Sequence, residues 1–283
     1  MKKIVVLGGG ISGYGSAILA KKKGFDVFLS DKGRIADRYK AKLDQWQVPY
    51  EEGRHSEERI LAADEVVKSP GIPDKAPMIV KLREAGIPVI SEMEFAGRYL
   101  GKARTICVTG SNGKTVIKEW IAEELPAGMK CYRSPKSYNS QLGVPLSVLM
   151  IEGDEQLALI EAGISKPGEM ARLERIIRPD VVVFTSIGDA HQENFLNLEQ
   201  KCDEKMVLAH RAETIVYHSY YEPLGRMIAS RFAGRKLCDA ASCPEVPETL
   251  IGNEASRRNA RIVEAFCAAM GYPAPSFTEA PEV

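Results

Sequence analysis

The chain contains 283 residues, in which 38 Lys and Arg side chains balance 38 Asp and Glu side chains. This balance gives no overall field that would draw the chain to nucleic acid or to an anionic membrane, so we expect small-molecule partners, no nucleic acid and no membrane. Domains commonly contain about 100 to 200 residues, so the length predicts two domains with cores of their own.

The cysteines and the N-terminus indicate the compartment. The six cysteines are scattered and form no C-x-x-C pair, which is typical of reduced thiols in the cytoplasm. The opening run MKKIVVLGGG breaks at once into glycines, so it predicts neither a signal sequence nor a membrane span. We expect a cytoplasmic protein that acts as a monomer.

Two successive alternations of strands and helices organise the chain. Up to about residue 100, short β-branched runs are separated by helix-length amphipathic segments, and these runs are KIVVLG, DVFLSD, EVVKSP and PVISE. After RYLGKARTI a second alternation follows, with the runs TICVTG, LALIEAG, VVVFTSI and TIVYHS. The pattern predicts two α/β domains, each built on a parallel sheet.

The first strand leads into a glycine-rich turn. Gly8, Gly10 and Gly13 match G-x-G-x-x-G between a predicted strand and a predicted helix, whose N-terminus can receive a diphosphate. Asp31 ends the next strand, where a carboxylate would meet a ribose hydroxyl or a base edge. The segment KSPGIP ends a later strand at the same edge of the sheet. The glycines could instead only allow close packing, and this turn alone also allows an NAD-dependent oxidoreductase.

A second phosphate-binding turn is VTGSNGKT. The strand delivers Gly110, Ser111, Asn112 and Gly113 into a helix that begins near Lys114, so backbone N–H groups, an ammonium group and a helix N-terminus meet. Val108 occupies the position of the first glycine in the longer G-x-x-x-x-G-K-[ST] spacing. We expect Lys114 to reach ATP phosphates and the Thr115 hydroxyl to bind Mg²⁺.

Later strand ends carry candidates for the rest of a metal site. Glu161 lies at the end of LALIEAG, and Asp189 and His191 follow VVVFTSIGDAH. Because parallel strands end at one edge of the sheet, a carboxylate and an imidazole can share a cation–phosphate cluster there.

These motifs together resemble the Mur ligases, ATP-dependent amide ligases of cell-wall precursor synthesis. The family's short T-G-[TS]-N-G-K-[ST] loop is matched by Thr109 to Thr115, so no glycine is missing. SPGIP and SEMEF resemble the D-glutamate-adding members up to about residue 114. VIKEW, RSPKSYNSQLGVPLSVL, IEAGISKPGEM and TSIGDAHQENF resemble instead the D-alanyl-D-alanine-adding members in the form fused to alanine racemase.

The resemblance implies two α/β domains with different ligands. Residues 1–102 would form a Rossmann-like domain for a UDP-sugar, and residues 103–272 a shortened P-loop ATPase domain. Residues 273–283 would be a tail or a linker to a third, C-terminal domain, which the family normally carries and which we expect to be missing. The implied contacts to the UDP-sugar are Gly8, Gly10, Ser12, Gly13, Asp31, Ser69, Pro70 and Gly71.

The resemblance also implies roles around the phosphate loop. Thr115 and Glu161 would bind one Mg²⁺ and His191 a second, while Asn139 would lie near the substrate and the ATP phosphates. Lys205 lies at the spacing of a carbamylated lysine that supports the second metal ion. A solvated basic stripe shared with Lys201 is the alternative. The implied ATP contacts are Gly110, Ser111, Asn112, Gly113, Lys114, Thr115 and Asn259.

The implied reaction joins an amino acid or dipeptide to a UDP-N-acetylmuramoyl precursor through an acyl phosphate. Lys114, Asn139, His191 and Lys205 would be the catalytic residues. We prefer D-glutamate as the amine, because the first half of the chain, which would bind the sugar nucleotide, resembles the D-glutamate-adding members. The D-alanyl-D-alanine-adding reaction, nucleotide binding without turnover and, from the first turn alone, an NAD-dependent oxidoreductase stay as alternatives.

Overall fold

A computed structural model describes residues 1–99, 103–141, 143–151, 154–188, 190, 192–245, 253–275 and 277. The chain divides into two compact units, of which the first comprises Met1–Tyr99 with Val148–Met150 and the second the rest of the chain. Each unit is built on one parallel sheet, which confirms the predicted α/β fold.

The first unit contains a five-stranded sheet in the order β3-β2-β1-β4-β5. Its strands are β1 (Lys3–Leu7), β2 (Asp26–Ser30), β3 (Tyr50–Glu51), β4 (Glu65–Lys68) and β5 (Val89–Ser91). Its helices are α1 (Ile11–Lys22), α2 (Asp37–Gln45), α3 (Glu57–Leu61), α4 (Pro77–Glu84) and α5 (Glu92–Gly97). The chain reverses its direction of strand addition at β1, which pairs with both β2 and β4, so the turn after β1 lies at the switch point where open α/β sheets bind ligands.

The second unit contains a six-stranded sheet in the order β11-β10-β9-β6-β8-β7. Its strands are β6 (Arg104–Thr109), β7 (Cys131–Arg133), β8 (Leu157–Ala162), β9 (Val181–Phe184), β10 (Thr214–Tyr217) and β11 (Lys236–Asp239). Its helices are α6 (Lys114–Glu123), α7 (Gly143–Leu149), α8 (Glu169–Ile177), α9 (Leu198–Met206), α10 (Leu224–Arg231) and α11 (Glu254–Met270), and the last two residues of α7 are assigned to the first unit. Here β6 pairs with both β8 and β9, so the turn that leads into α6 lies at the switch point.

The central strands are apolar because both faces of each sheet are covered by helices. All residues of β8 and β9 are buried, as are the last four residues of β1. In the second unit, Trp120 of α6 joins the core below β6, and the ring of Phe277 lies 5.5 Å from its ring. The segment expected to be a tail therefore contributes a ring to this core.

Two further expectations concern the chain as a whole. The six cysteines are free thiols. No helix within the described ranges is long and apolar enough to cross a membrane.

Candidate active site

The phosphate loop of the second unit requires glycine at two positions. Gly110 has φ +157°, and a Cβ atom there would lie 1.8 Å from Thr185 Oγ1. Gly113, with φ +79°, is the N-cap residue of α6, and it has no side chain that could cap the helix. The first N–H groups of α6 therefore receive no capping side chain from Gly113 and suit an anion.

The loop is held by the segment that follows β9. Thr185 Oγ1 donates to the carbonyl of Asn112 at 2.6 Å, and Ser111 N donates to the carbonyl of Ser186 at 2.6 Å. The Ser111 hydroxyl both donates to the carbonyl of Gly188 at 3.2 Å and accepts from its N–H at 3.0 Å. These bonds fix the loop backbone before any ligand arrives.

A cavity of about 390 Å³ opens beside the loop and is lined in part by Gly110, Ser111, Lys114, Asn139 and Lys205. Lys114 Nζ donates to the carbonyls of Gly110 at 3.1 Å and Ser111 at 2.8 Å. Burial lowers the pKa of Lys114. Its ammonium group therefore lies over the loop at the cavity wall, where an anionic ligand would replace the carbonyl oxygens as its partner.

Lys205 is 2% exposed, and its Nζ donates to the same Gly110 carbonyl at 3.0 Å. Burial is the main reason that the pKa of Lys205 falls to about 7, and the charges of Lys114 and Lys201 lower it further. At neutral pH a large fraction of this side chain is therefore a neutral amine, which is the nucleophilic form.

The alternative of a solvated basic stripe on α9 is wrong. Lys201 is only 1% exposed, and its Nζ donates to the carbonyls of Gly188 and Ala190 at 2.5 Å each. Both lysines face inward because they are four residues apart on one side of α9, and backbone carbonyl oxygens satisfy their ammonium groups.

Glu161 of β8 is fully buried beside a second fully buried residue, Lys118 of α6. Lys118 Nζ lies 3.1 Å from Glu161 Oε1 and 2.9 Å from Glu119 Oε1, and it donates to two backbone carbonyls, those of Ser134 at 2.7 Å and Lys136 at 2.8 Å. The carboxylate is thus held by an internal cation.

Asn139 connects Glu161 to the cavity. Its Nδ2 donates to Glu161 Oε2 at 3.3 Å, and its backbone carbonyl accepts from Gly163 N at 2.6 Å. The two predicted site residues therefore lie together, and Asn139 also lines the cavity.

Asn259 of α11 also lies at the loop. A Cβ atom at Gly113 would lie 2.9 Å from Asn259 Oδ1, so this amide is next to the start of α6. Thr115 is the second residue of α6. Asp189 and His191 lie outside the described residues, and the described ones contain no cluster of three His, Cys, Asp or Glu side chains that could hold a metal ion.

In the first unit, only two of the three motif glycines are required by the packing. A Cβ atom at Gly8, where φ is +102°, would lie 2.5 Å from Ser69 Oγ, and one at Gly13 would lie 1.8 Å from the carbonyl oxygen of Gly8. A Cβ atom at Gly10 would meet nothing within 4 Å. Gly8 and Gly13 build the turn, and Gly10 keeps its outer surface open.

The Asp31 carboxylate accepts hydrogen bonds from the backbone of the turn after β1 and from the loop after β2. Its Oδ2 accepts from Gly9 N at 2.5 Å and its Oδ1 from Gly33 N at 2.6 Å. Each carboxylate oxygen has a second lone pair, so the same side chain can still accept from a ribose hydroxyl. The sequence analysis missed this structural role, because the loop after β2 curls back beside the turn after β1.

Ser12 and Ser69 meet at one buried carboxyl group. Ser12 Oγ donates to Glu92 Oε1 at 2.9 Å, and Ser69 Oγ donates to the same oxygen at 2.5 Å. Pro70 and Gly71 follow Ser69 on the exposed outer side of the turn. The two predicted ligand-binding segments are therefore joined through Glu92, which the sequence analysis did not single out.

The residues at the second turn fit a nucleoside triphosphate with a divalent cation. The glycines make room for a close approach to the backbone, and Lys114 supplies a cation at the cavity wall. Thr115 and Glu161 carry hard oxygen donors of the kind that Mg²⁺ prefers. The phosphate oxygens would supply further ligands.

One sequence signal could have revealed Lys118. Lys114, Ile117, Lys118 and Ile121 fall on one side of α6 at helical spacing, and Ile117 and Ile121 are apolar. A lysine within an apolar stripe predicts a buried, paired cation. No comparable signal marked Glu92, because its serine partners are far away in the sequence.

Fold and site define a class: an α/β protein with two glycine-rich turns of the kind that suits phosphate groups, each at the switch point of its own parallel sheet. The MurD-like N-terminal domain family of Mur ligases matches residues 2–91, and the Mur ligase middle domain family matches residues 108–235. These two families between them cover most of the chain. The chain belongs to the Mur ligase family.

Curated relatives and solved structures agree with this assignment. The chain is 65% identical over 121 residues to the UDP-N-acetylmuramoylalanine--D-glutamate ligase of Bacteroides fragilis, which is 43% of this chain and 27% of the relative. It is 35% identical over 197 residues to the protein of the same name from Chlorobium phaeobacteroides, which is 69% of this chain and 41% of the relative. The matched segments thus span less than half the length of either relative.

Among solved structures, the MurF ligase of Thermotoga maritima in complex with ADP has a similar fold. Its TM-score is 0.61 at 19% identity, over 90% of this chain and 62% of that chain. At this identity the likeness concerns the fold alone. The names of the sequence relatives favour the D-glutamate-adding hypothesis over the D-alanyl-D-alanine-adding and oxidoreductase alternatives.

Proposed function

We propose that this chain supplies the nucleotide-binding machinery of an ATP-dependent ligase that adds D-glutamate to UDP-N-acetylmuramoyl-L-alanine. The observation that carries the proposal is the phosphate loop, because Gly110, Ser111 and Lys114, the first residue of α6, line one cavity at the switch point of the second sheet. We also propose that the protein acts in the cytoplasm, as a monomer.

The two units have different ligands in this proposal. Residues 1–102 bind the UDP-sugar through the turn at Gly8 and Gly13, and residues 103–272 bind ATP, with 273–283 as a tail or linker. The proposed UDP-sugar contacts are Gly8, Gly10, Ser12, Gly13, Asp31, Ser69, Pro70 and Gly71. The proposed ATP contacts are Gly110, Ser111, Asn112, Gly113, Lys114, Thr115 and Asn259.

The proposed chemistry has two steps. An oxygen of the substrate carboxylate bonds to the γ-phosphorus as the bond to ADP breaks, and the resulting acyl phosphate is attacked by the amine, which forms the amide, releases phosphate and loses a proton. Both first reactants are anionic, so Lys114 and the N-terminus of α6 lower the barrier by absorbing charge. Asn139 lines the same cavity as Lys114, where it would lie near the substrate and the ATP phosphates.

Mg²⁺ would be held by Thr115 and Glu161, with His191 as the proposed ligand of a second ion. The cation would supply further charge neutralisation at the transferring phosphoryl group. The Glu161 carboxylate is already fixed by Lys118 and Asn139, which supports its role as a prepared oxygen donor.

We also propose that Lys205 is carbamylated. The neutral amine bonds to the carbon of CO₂ and loses a proton to give the carbamate, and a pKa of about 7 provides the neutral form at neutral pH. Incubation with ¹³C-bicarbonate should produce a carbamate carbon signal in the wild-type chain and none in K205R. A signal of equal size in both proteins would contradict the assignment.

Phosphate release tests the whole function. We expect ATP- and Mg²⁺-dependent release with UDP-N-acetylmuramoyl-L-alanine and D-glutamate together, and little with either alone. K114A should abolish it, while K166A, which changes an exposed lysine, should not. ATP binding without release would leave a nucleotide-binding module, and binding of UDP-N-acetylmuramoyl-tripeptide in preference to UDP-N-acetylmuramoyl-L-alanine would overturn the choice of D-glutamate.

A further inference from the structure

Glu92 is a buried acid in the first unit with no place in the proposed reaction. It is the first residue of α5 and is 1% exposed. Within the described part of the chain, its Oε2 has no hydrogen-bond partner. An acid in this state costs free energy, because a buried polar atom without a partner has lost its hydration, and its presence therefore calls for an explanation.

Its other oxygen joins two segments that are distant in the sequence. Oε1 accepts from Ser12 in the first turn of α1, at 2.9 Å, and from Ser69 after β4, at 2.5 Å. Each hydroxyl has a single proton, which is thereby committed, so both oxygens are oriented by the same carboxyl group.

The orientation of Ser69 matters because space around it is small. Its Oγ would lie 2.5 Å from a Cβ atom at Gly8 and 3.4 Å from one at Gly13. The hydroxyl therefore fills the room that the two glycines leave on the inner side of the turn. A change in its rotamer would be transmitted directly to the backbone that receives a diphosphate.

We propose that Glu92 is a positioning residue for the sugar-nucleotide turn, which holds the Ser12 and Ser69 hydroxyls in place so that the turn accepts a uridine diphosphate. The inference rests on the proposed function of the first unit. It assigns Glu92 no contact with the ligand.

The electrostatics are compatible with an anionic ligand. Burial raises the pKa of Glu92, although the two serine hydroxyls and the charge of Lys68 act in the opposite direction. A protonated carboxyl group still accepts at Oε1, and it does not repel a diphosphate. The unpartnered Oε2 is the atom that would carry the proton.

Variants at Glu92 separate hydrogen-bond acceptance from charge. Glu92→Gln keeps an acceptor without a charge, whereas Glu92→Leu keeps the approximate volume and removes the acceptor. Glu94→Leu is the control, because Glu94 is exposed in the same helix. Each protein would be titrated calorimetrically with UDP-N-acetylmuramoyl-L-alanine and, separately, with ATP.

We expect Glu92→Leu to weaken binding of the sugar nucleotide about tenfold, since two hydrogen bonds lose their acceptor. Its affinity for ATP should stay unchanged, and Glu92→Gln should remain within about threefold of the wild type. Wild-type affinity in Glu92→Leu would overturn the inference, as would equally weak binding by Glu92→Gln and Glu92→Leu.

A variant of the donors keeps the test decisive if Glu92→Leu fails to fold, which a loss of ATP binding would reveal. Ser12→Ala with Ser69→Ala should also weaken sugar-nucleotide binding about tenfold. Wild-type affinity in that double variant would overturn the inference. If the wild-type chain itself binds no UDP-N-acetylmuramoyl-L-alanine, the proposed function of the first unit fails, and the inference fails with it.

Discussion

Lys205 in α9 donates a hydrogen bond to the carbonyl oxygen of Gly110, 95 residues earlier in the chain, at 3.0 Å. The contact brings a desolvated amine against the backbone of the phosphate loop. Because the pKa of this amine is lowered to about 7, its protonation changes within the range in which the protein can be studied.

The stability contributed by Lys205 should therefore rise with pH. The ordinary pKa of 10.5 applies to the unfolded chain, so between about pH 7 and pH 10 the unfolded chain binds more protons than the folded one. The free energy of unfolding should increase by at most about 1.4 kcal/mol per pH unit from this group. Urea unfolding measured from neutral to mildly alkaline pH gives the free energy of unfolding at each pH. This free energy should rise less steeply with pH in K205M than in the wild type. An unchanged slope would contradict this, and K166M serves as the exposed control.

Substitution of Gly110 should disrupt the phosphate loop. In G110A the new Cβ atom would meet Thr185 Oγ1 at 1.8 Å and the carbonyl oxygen of Ser186 at 2.9 Å. We expect a loss of about 2 kcal/mol or more in the free energy of unfolding, together with loss of ATP binding. G128A is the matched control, because Gly128 has φ +84° but nothing within 4 Å of its added Cβ, and it should cost only about 1 kcal/mol. Equal losses in the two variants would exclude the steric explanation.

Removal of Lys118 should leave Glu161 as an uncompensated buried charge. We expect K118M to destabilise the chain by about 3–5 kcal/mol, because both side chains are fully buried 3.1 Å apart. The double variant K118M/E161Q should be more stable than K118M, since the unpaired charge is gone. Chemical denaturation of the four proteins of this cycle measures the coupling, and strictly additive losses would show that the pair does not interact.

The glycines of the first turn should differ in their tolerance. G13A places a Cβ atom 1.8 Å from the carbonyl oxygen of Gly8 and should cost about 2 kcal/mol or more, whereas G10A should stay within about 0.5 kcal/mol of the wild type. Any weakening of UDP-sugar binding in G10A then indicates how closely the ligand approaches the backbone at Gly10. Thermal unfolding and calorimetric titration check the two parts, and similar stability of both variants would refute the distinction.

The sequence predicted eight of the strands, the two turns and the position of Glu161 because each depends on local patterns, whereas it missed the edge strands β3, β7 and β11. Apolar runs identify parallel strands, and glycines before a helix identify the turns that the sheets place at their switch points. The roles proposed for Asn139 and Asn259 came only from the resemblance to the family, whereas the role of Thr115 also followed from the phosphate-loop motif. All three stay predictions. His191 lies outside the described residues, so its role stays a prediction as well.

What the sequence could not provide was the burial of charge. Lysines and glutamates usually lie at the surface, so Lys201 favoured a solvated stripe and Glu92 drew no attention. Their partners are backbone carbonyls and serine hydroxyls from other segments, which have no spacing rule. Only the folded arrangement identifies them.

The reciprocal pair of hydrogen bonds between Ser111 and Gly188 makes two segments open as one. A single hydroxyl group satisfies both the N–H and the carbonyl of Gly188, so the phosphate loop cannot move away without exposing that amide to water. The exchange rate of the Gly188 amide hydrogen should therefore fall when a ligand holds the phosphate loop in place. It allows nucleotide binding to be followed at one backbone atom, with no label attached to the protein.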